Sequence, residues 1–380
     1  MQTGLQFASE GLLNWAGQAK LVAMLVFVYE FITGGGLLAA GAARLQSSLA
    51  REGAAMATAL AADFAELPRT SAGVLRDFRA KTSAPLADQI VEVRTAAEHD
   101  AAFERLAARA DWSVVIAPEI GGRLSAACRH VEKVGGRLLG PPPAVCELAG
   151  DKQATAEHLA AAGVSTPRGR LFCPGESPPA DQRFPAIVKP RDGAGSQGVR
   201  LVDDHEELRQ IGRRIKEPHR FETYCPGTPV SVACLCGPEV CVPLAPCRQF
   251  LSDDGCFRYL GGSLPLPDHW ARRATQLATR AVATFHALLG YLSVDIILGD
   301  DPDGRDDVVI EINPRMTTSY VGLRAAAEGN LAAAMLEAAA RRLPTLSFRR
   351  EPLRFDPDGN VWQDTPAVSH ASVARTEDNG

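Results

Sequence analysis

Short apolar runs alternate with glycine loops and Ala/Leu-rich stretches in the first third of the chain. Residues 24–29 (MLVFVY) are continuously apolar, which is typical of a strand buried on both faces of a parallel sheet. The glycines at 34–36 end this run, and an Ala/Leu-rich helical segment follows them. A second apolar run at 112–118 (WSVVIAP) again precedes a glycine pair and a helical segment. This alternation of strands, loops and helices predicts an open α/β sheet.

Three polar residues follow these two strands. Ligands bind open α/β sheets beyond the carboxyl ends of the strands, which is where Glu30, Thr33 and Glu119 would lie. Two alternatives stay open for these residues: they contribute to a ligand site, or they are solvated loop residues.

Residues 139–152 (LGPPPAVCELAGDK) mark a boundary, because three successive prolines cannot continue a helix or a central strand. A helix is predicted from Asp151 to a C-cap at Gly163. The residues from about 346 are rich in charge, Pro, Asp and Asn and lack apolar periodicity, so we expect a mobile tail. The chain is therefore divided into an N-terminal extension 1–23, an N-terminal α/β domain 24–145, a second domain 146–345 and a C-terminal tail 346–380.

The 380-residue chain is 46% hydrophobic and 22% charged, which is an ordinary globular composition. Its formal net charge of −5 argues against nucleic acid or an anionic membrane as the main partner, but it permits small acidic ligands. No segment reaches the roughly 18–20 consecutive apolar residues of a membrane helix, and the N-terminus lacks the charge order of a signal peptide. We therefore expect a cytoplasmic protein, for which Met24 is an alternative start to Met1.

The nine cysteines are odd in number, and no two have the C-x-x-C spacing of zinc knuckles or thioredoxin-like motifs. They are interpreted as small buried hydrophobic residues of a cytosolic protein, and the alternative is a metal or redox role. Six of them lie between residues 225 and 256, and no pattern in the sequence accounts for this cluster.

The segment 184–202 (FPAIVKPRDGAGSQGVRLV) contains Gly193, Gly195 and Gly198 in the G-x-G-x-x-G spacing of dinucleotide-binding loops. Such a loop must be followed by a helix whose N-terminus holds the pyrophosphate, whereas VRLV alternates like a strand. We therefore predict a strand–loop–strand hairpin that closes over a phosphate as a flap. Lys189 precedes the loop and is placed to neutralise that phosphate; the alternative is a plain flexible hairpin with a surface lysine.

A second set of polar residues lies in 294–320, where an acidic turn joins two apolar strands. Asp295 is on the first strand, and Glu311 and Asn313 share one face of the second. Pairing of the two strands would bring the three side chains together, and their oxygen atoms suit Mg²⁺. Arg315 follows at once, and its guanidinium suits a phosphate. The alternative is a half-exposed hairpin, although buried charges without partners are costly.

Together the glycine hairpin and the acidic hairpin resemble the ATP-grasp superfamily, over about residues 146–342. The resemblance implies an α/β chain in which an N-terminal open parallel sheet precedes an α+β, two-subdomain ATP-grasp fold with the glycine-rich hairpin as its flap. It implies ATP and Mg²⁺, or Mn²⁺, as cofactors. The residues that it assigns to the nucleotide are Lys152, Lys189, Gly193, Gly195, Ser196, Gly198, Glu222, Tyr224 and Cys225. It assigns the metal to Asp295, Glu311 and Asn313, and catalysis to Arg315 and Lys189.

The segment 221–232 resembles the hinge that holds adenine in this superfamily, with Glu222 facing the base. Many members place a glutamate two residues after the hinge glycine, where it binds the ribose. This chain has Thr228 and Pro229 there, so ribose recognition must differ, or must use Glu222 or a backbone group.

Further segments resemble a narrower family, the tyramine–L-glutamate ligases of methanofuran biosynthesis. They are VFVYEFITGGG, VVIAPE, RQF at 248–250, YLGG at 259–262 and EINPRMTTSYVGL. The resemblance implies a ligase that phosphorylates the γ-carboxylate of L-glutamate and lets tyramine displace the phosphate. Arg248, Thr317 and Thr318 are the candidates for gripping glutamate, while Ser319 is expected to cap a helix.

Other functions stay open. The same fold could join a different pair, for example glutamate to tyrosine or another amino acid, or it could bind nucleotide without catalysis. A nicotinamide-linked dehydrogenase is a third alternative. The expected partners are small molecules, L-glutamate and an amine, with no nucleic acid and no membrane. The resemblance also allows a homodimer, because many ligases of this fold are dimers.

Overall fold

A computed structural model describes residues 24–40, 48–80, 86–176 and 183–364. The predictions made for the extension 1–23 and for residues 365–380 lie outside these described residues. The strands are β1 (Met24–Glu30), β2 (Thr70–Asp77), β3 (Gln89–Val93), β4 (Trp112–Ile116), β5 (Gly169–Phe172), β6 (Ala186–Pro190), β7 (Arg200–Val202), β8 (His219–Thr223), β9 (Thr228–Gly237), β10 (Val240–Pro243), β11 (Cys247–Leu251), β12 (Tyr259–Leu264), β13 (Gly290–Leu298), β14 (Val308–Asn313), β15 (Leu353–Phe355) and β16 (Val361–Gln363). The α-helices are α1 (Ser48–Glu66), α2 (Ala96–Arg109), α3 (Arg123–Lys133), α4 (Pro143–Gly150), α5 (Lys152–Ala161), α6 (His205–Gly212), α7 (Asp268–Val282), α8 (Ser319–Ala326) and α9 (Leu331–Ala339).

The N-terminal domain is built on a parallel sheet of order β3-β2-β1-β4, with β1 at its centre. The apolar run of β1 is buried on both faces, because alternate side chains enter different cores. Val26 and Val28 pack in the core that contains α1, whereas Phe27 and Tyr29 pack with Phe103 of α2. The predicted open parallel sheet is confirmed.

The second domain contains two sheets of different size. The small sheet has the order β5-β8-β6-β7, and its β6–β7 hairpin holds the glycine loop. The large sheet has the order β14-β13-β9-β11-β12-β15-β16, with β10 paired to β9. Helix α7 packs on one face of the large sheet, and α8 and α9 pack on the other. This arrangement confirms the predicted two-subdomain fold.

The predicted C-terminal tail is wrong for residues 353–363, which form β15 and β16 at the edge of the large sheet. Phe355 of β15 is 1% exposed, and its ring fills the space that a Cβ at Gly262 or Gly322 would occupy. Strands of three residues are too short to produce a detectable alternation of apolar positions. The burial of this segment therefore depends on distant glycines.

All nine cysteines lie in the described residues and are free thiols, of which five are buried and Cys241 is exposed. The buried five agree with the interpretation as small apolar residues; the others do not share that environment. Among the helices of the described residues, none is both long and apolar enough to cross a membrane.

Helix α1 joins the two domains. Its Met56 and Leu60 belong to the same core as Leu323 of α8 and Met335 of α9. In this interface the buried carboxylate of Asp63 accepts hydrogen bonds from Tyr320 Oη (2.6 Å) and from the Arg324 guanidinium (2.6 and 3.0 Å). The position of α1 against the second domain therefore depends on one carboxylate as well as on apolar packing.

We predict that Asp63→Ala lowers the free energy of unfolding by about 3 kcal/mol, because it leaves the buried Tyr320 hydroxyl and the Arg324 charge without their acceptor. Urea denaturation of both proteins measures the loss. The control is Arg51→Ala on the same helix, which removes an ion pair to Asp358 with both side chains about half exposed. That change should cost about 0–1 kcal/mol. Equal losses in the two variants would contradict the role given to Asp63.

Candidate active site

A cavity of about 220 Å³ lies between the small sheet, the large sheet and helix α1. All but two of the site residues predicted from the sequence line it. They are Lys152, Lys189, Gly193, Gly195, Ser196, Glu222, Tyr224, Cys225, Asp295, Glu311, Asn313, Arg315, Thr317 and Thr318. Gly198 and Arg248 are not among the lining residues.

The glycine loop forms one wall of the cavity, and β6 and β7 pair antiparallel on either side of it, as predicted. Gly195 and Gly198 have φ values of +62° and +78°, in the left-handed region that glycine adopts without strain, and Ser196 between them adopts the same region at +57° although it carries a Cβ. A Cβ at Gly198 would meet the ring of Pro190. Gly198 therefore shapes the turn, while the residues before it face the cavity.

Lys189 and Glu222 form an ion pair of 2.5 Å on neighbouring strands, and each side chain is only 4% exposed. The second oxygen of Glu222 accepts from Arg220 Nε at 2.7 Å. Both carboxylate oxygens therefore have cationic partners, and Glu222 acts as the counter-ion that holds Lys189 in the wall. The sequence interpretation put Glu222 and the backbone around Tyr224 and Cys225 against an adenine base; all three residues line the cavity, and Glu222 also holds Lys189 there.

Asp295 and Glu311 lie side by side, as the predicted pairing of their two strands requires. Asp295 of β13 is directly opposite Glu311 of β14. The two oxygens of Asp295 accept from Asn313 Nδ2 (3.0 Å) and from Gln249 Nε2 (3.1 Å). Glu311 is paired with Lys152 Nζ at 2.5 Å. The cluster therefore joins β11, β13, β14 and α5 around one wall of the cavity.

The two carboxylates differ in their affinity for protons. Burial, and then the negative charge of Glu311, raise the pKa of Asp295 to about 7. Burial also acts to raise the pKa of Glu311, but Lys152 and Lys189 outweigh it, and the net pKa is lowered. The raised pKa of Asp295 means that the nearby cations do not fully compensate its charge.

This set of donors fits a divalent cation. Two carboxylates and the amide oxygen of Asn313 are hard oxygen ligands of the kind that Mg²⁺ prefers. Within the described parts of the chain, no cluster of three or more His, Cys, Asp or Glu side chains is arranged to hold a metal ion. A metal at this wall would therefore need further oxygen ligands from a bound phosphate, which is usual for Mg²⁺.

Arg315 follows β14 and is held by Glu119, which follows β4 of the N-terminal domain. Two contacts join them, from Arg315 Nε to Oε1 at 2.9 Å and from Nη2 to Oε2 at 3.1 Å. The side chains are 12% and 5% exposed. Of the two alternatives left open for Glu119, the solvated loop is thus wrong, since the residue is buried and orients the arginine at the cavity.

Glu30 has a different role from Glu119. Its carboxylate accepts from the backbone amides of Ile32 (3.0 Å) and Thr33 (2.5 Å) and from the Thr33 hydroxyl (2.6 Å). A Cβ at Gly53 of α1 would collide with this carboxylate. Glu30 and Thr33 therefore brace the loop after β1 and allow α1 to approach closely, and neither lines the cavity.

Of the three residues expected to bind glutamate, two line the cavity and one does not. Thr317 and Thr318 line the cavity, and Tyr291 Oη lies 3.2 Å from the Thr317 hydroxyl. Ser319 is the first residue of α8 and does not cap it; its hydroxyl contacts Tyr291 Oη at 3.1 Å instead. The expected capping role is therefore wrong, because a buried tyrosine hydroxyl competes for the serine.

Arg248 is exposed on the far side of β11, where its guanidinium lies over the ring of Phe250. Its neighbours Cys247 and Gln249 line the cavity instead. The period of two along a strand could have identified Gln249 once the inward side of β11 was known. Glu52 of α1 also lines the cavity and was not foreseen, since no motif surrounds it.

Comparison with known proteins places this arrangement in a family. The pre ATP-grasp 3 domain matches residues 71–145, and the ATP-grasp domain matches residues 149–319. The chain therefore contains an ATP-grasp domain that is preceded by a pre ATP-grasp domain. The solved structure of a putative ATP-grasp superfamily protein from Archaeoglobus fulgidus has the same fold, with a TM-score of 0.65 and 23% identity over 88% of this chain and 92% of that one.

Two curated relatives of this ATP-grasp protein are tyramine–L-glutamate ligases. The one from Methanocaldococcus fervens is 27% identical over 56% of this chain and 62% of its own length. The one from Methanocaldococcus jannaschii is 24% identical over 80% of this chain and 86% of its own length. The alignment thus spans less than two thirds of the first relative and most of the second.

We predict that Asp295→Asn stabilises the metal-free ATP-grasp protein by about 1–2 kcal/mol at about pH 8. In the folded protein the pKa of Asp295 lies above its ordinary value, so protonation of this carboxyl stabilises the fold at low pH. That stabilisation is lost as the pH rises through about 7. Urea denaturation with a chelator should therefore show a gain near pH 8 that shrinks near pH 5. The matched control is Asp303→Asn in the exposed acidic turn, which should show no such gain. A gain independent of pH would argue against the raised pKa.

Proposed function

We propose that this protein is an ATP- and Mg²⁺-dependent carboxylate–amine ligase that works through an acyl phosphate. One observation gives this proposal its main support. Three cationic side chains and a cluster of three oxygen ligands line the same cavity, and the glycine loop forms one of its walls. The cations are Lys152, Lys189 and Arg315, and the cluster is Asp295, Glu311 and Asn313. Phosphoryl transfer requires mainly positioning and charge neutralisation, and these residue types supply both.

In this proposal the nucleotide lies between the two sheets of the second domain. Its base would lie beside Tyr224 and Cys225, and its phosphates would lie under the glycine loop. The backbone amides of that loop can approach phosphate oxygens closely because glycines form half of it. Lys152 and Lys189 would then neutralise the phosphates.

A bound magnesium ion would offset phosphate charge and orient the terminal phosphate, held by Asp295, Glu311 and Asn313. Arg315 would hold the phosphate as it passes to the carboxylate. Its orientation is set by the two contacts to Glu119, so the guanidinium does not have to be ordered during the reaction. The glycine loop would keep water away from the acyl phosphate.

The two relatives named as tyramine–L-glutamate ligases lead us to propose L-glutamate as the carboxylate and tyramine as the amine. The γ-carboxylate would become the acyl phosphate, and the primary amine would displace phosphate to give an amide. Thr317 and Thr318 line the cavity close to Arg315 in the chain and are the candidates for holding glutamate. Arg248 is left out of this proposal because it faces away.

The test combines the purified protein with ATP, Mg²⁺, L-glutamate and tyramine, and follows ADP release together with the product mass. A product of glutamate plus tyramine minus water is the expected result. ADP release that requires glutamate but yields no such product would keep the ligase chemistry and reject tyramine. A protein that binds ATP but releases no ADP with any carboxylate and amine would reject the ligase function.

We expect Lys189→Ala and Glu311→Ala each to lower the rate of ADP release by roughly two to four orders of magnitude. The first removes a cation and the second an acidic ligand that the mechanism requires. Lys133→Ala, which removes an exposed lysine from α3, is the control and should leave the rate unchanged. Thermal unfolding of each variant separates loss of activity from loss of fold. Near-normal turnover in either site variant would contradict the assignment.

A further inference from the structure

Glu52 differs from the other acidic residues that line the cavity. Glu222 is paired with two cations, Glu311 with Lys152, and Asp295 accepts two hydrogen bonds. Glu52 lines the same cavity, yet within the described parts of the chain it makes no hydrogen bond or ion pair. A carboxylate in a partly dry wall without a partner is unfavourable unless a ligand supplies one.

Helix α1 fixes Glu52 at the cavity. One turn earlier on the same side, a Cβ at Gly195 of the glycine loop would meet the side chain of Leu49. At the next residue, Gly53 rests against the Glu30 carboxylate. Contacts on both sides of Glu52 therefore hold this part of α1 between the glycine loop and the β1 loop, and the carboxylate cannot move far from the cavity.

The charges around Glu52 leave it ionised at neutral pH. Burial raises its pKa to about 6, against the opposing effect of Arg315 across the cavity and Arg51 on its own helix, with Asp358 adding to the rise. The neighbouring Tyr259 stays a neutral phenol, because burial, and then Cys247, Asp295 and Glu52, raise its pKa. A negative charge beside an aromatic ring in this wall suits an organic cation and repels a phosphate.

We propose that Glu52 binds the ammonium group of the amine substrate and takes its proton, so that this site selects primary amines that are cationic at neutral pH. The inference rests on the proposed ligase function and deepens it. Among the carboxylates that line the cavity in the described residues, Glu52 is the one with neither an ion pair nor a hydrogen bond, so its charge is available to a cationic ligand.

The proton balance of the step is complete. The ammonium group gives one proton to the Glu52 carboxylate and becomes a neutral amine with a free electron pair. Its nitrogen attacks the acyl carbon, and the bond from that carbon to the phosphate oxygen breaks with its electron pair on the phosphate. The second proton leaves the nitrogen with the phosphate, and Glu52 returns its proton to water.

The experiment compares two nucleophiles on one acyl phosphate. Tyramine is a cation that must lose a proton, whereas hydroxylamine is neutral above neutral pH and traps acyl phosphates as hydroxamates without a base. We expect Glu52→Gln to lower kcat/KM for tyramine by about 100-fold, while hydroxamate formation and KM for ATP change less than about threefold. Glu52→Asp should retain part of the amide-forming rate. Glu66→Gln, an exposed glutamate of the same helix, is the matched control and should change neither product.

An equal loss of amide and hydroxamate in Glu52→Gln would overturn the inference, because it would mean a general effect on the site. Unchanged amide formation would overturn it as well. The proposed function fails separately, if the wild-type protein forms neither amide nor hydroxamate from ATP with any amino acid tried, and the inference then fails with it. Loss of amide with hydroxamate retained supports both.

Discussion

The structure of the cavity depends on pairs of buried opposite charges whose two members come from different elements. Lys189 of β6 is paired with Glu222 of β8, Lys152 of α5 with Glu311 of β14, and Arg315 with Glu119, which comes from the N-terminal domain. A buried charge without a partner costs several kcal/mol, so none of these side chains is stable in the cavity until both elements of its pair are in place. The site therefore forms only as the two sheets and the two domains come together.

The same pairs determine the charges that an incoming ligand would meet in the cavity. Each cation that would meet a phosphate already has a carboxylate partner, and the Glu311 partner is also a candidate metal ligand. Under the proposed function, Lys152 would exchange Glu311 for a phosphate oxygen, and Glu311 would be available to the metal instead.

Local patterns in the sequence were sufficient for the parts of the fold that depend on neighbouring residues. The run of β1, the hairpin around the glycine loop and the face shared by Glu311 and Asn313 all follow from a period of two or from a turn. Pairings over long separations were not predictable in this way. The Glu119–Arg315 contact joins residues 196 positions apart, and the role of Glu222 depends on which strands become neighbours in the small sheet. Which side chains of β11 face the cavity likewise depends on the pairing of this strand with β9. The sequence alone therefore could not distinguish Arg248 from Gln249 as the residue at the cavity.

Three glutamates at the domain junction show that residue type alone does not decide function. Glu30 receives three hydrogen bonds from its own loop and does not line the cavity, so its carboxylate serves to brace that loop. Glu119 receives both contacts of one guanidinium, and its effect on chemistry can only pass through Arg315. Glu52 receives none from the described residues although it faces the same cavity, and the cost of that position has to be met by whatever binds there. The number of donors that the fold provides to each carboxylate therefore separates a residue that braces a loop, a residue that orients an arginine and, in the proposal made above, a residue that binds substrate.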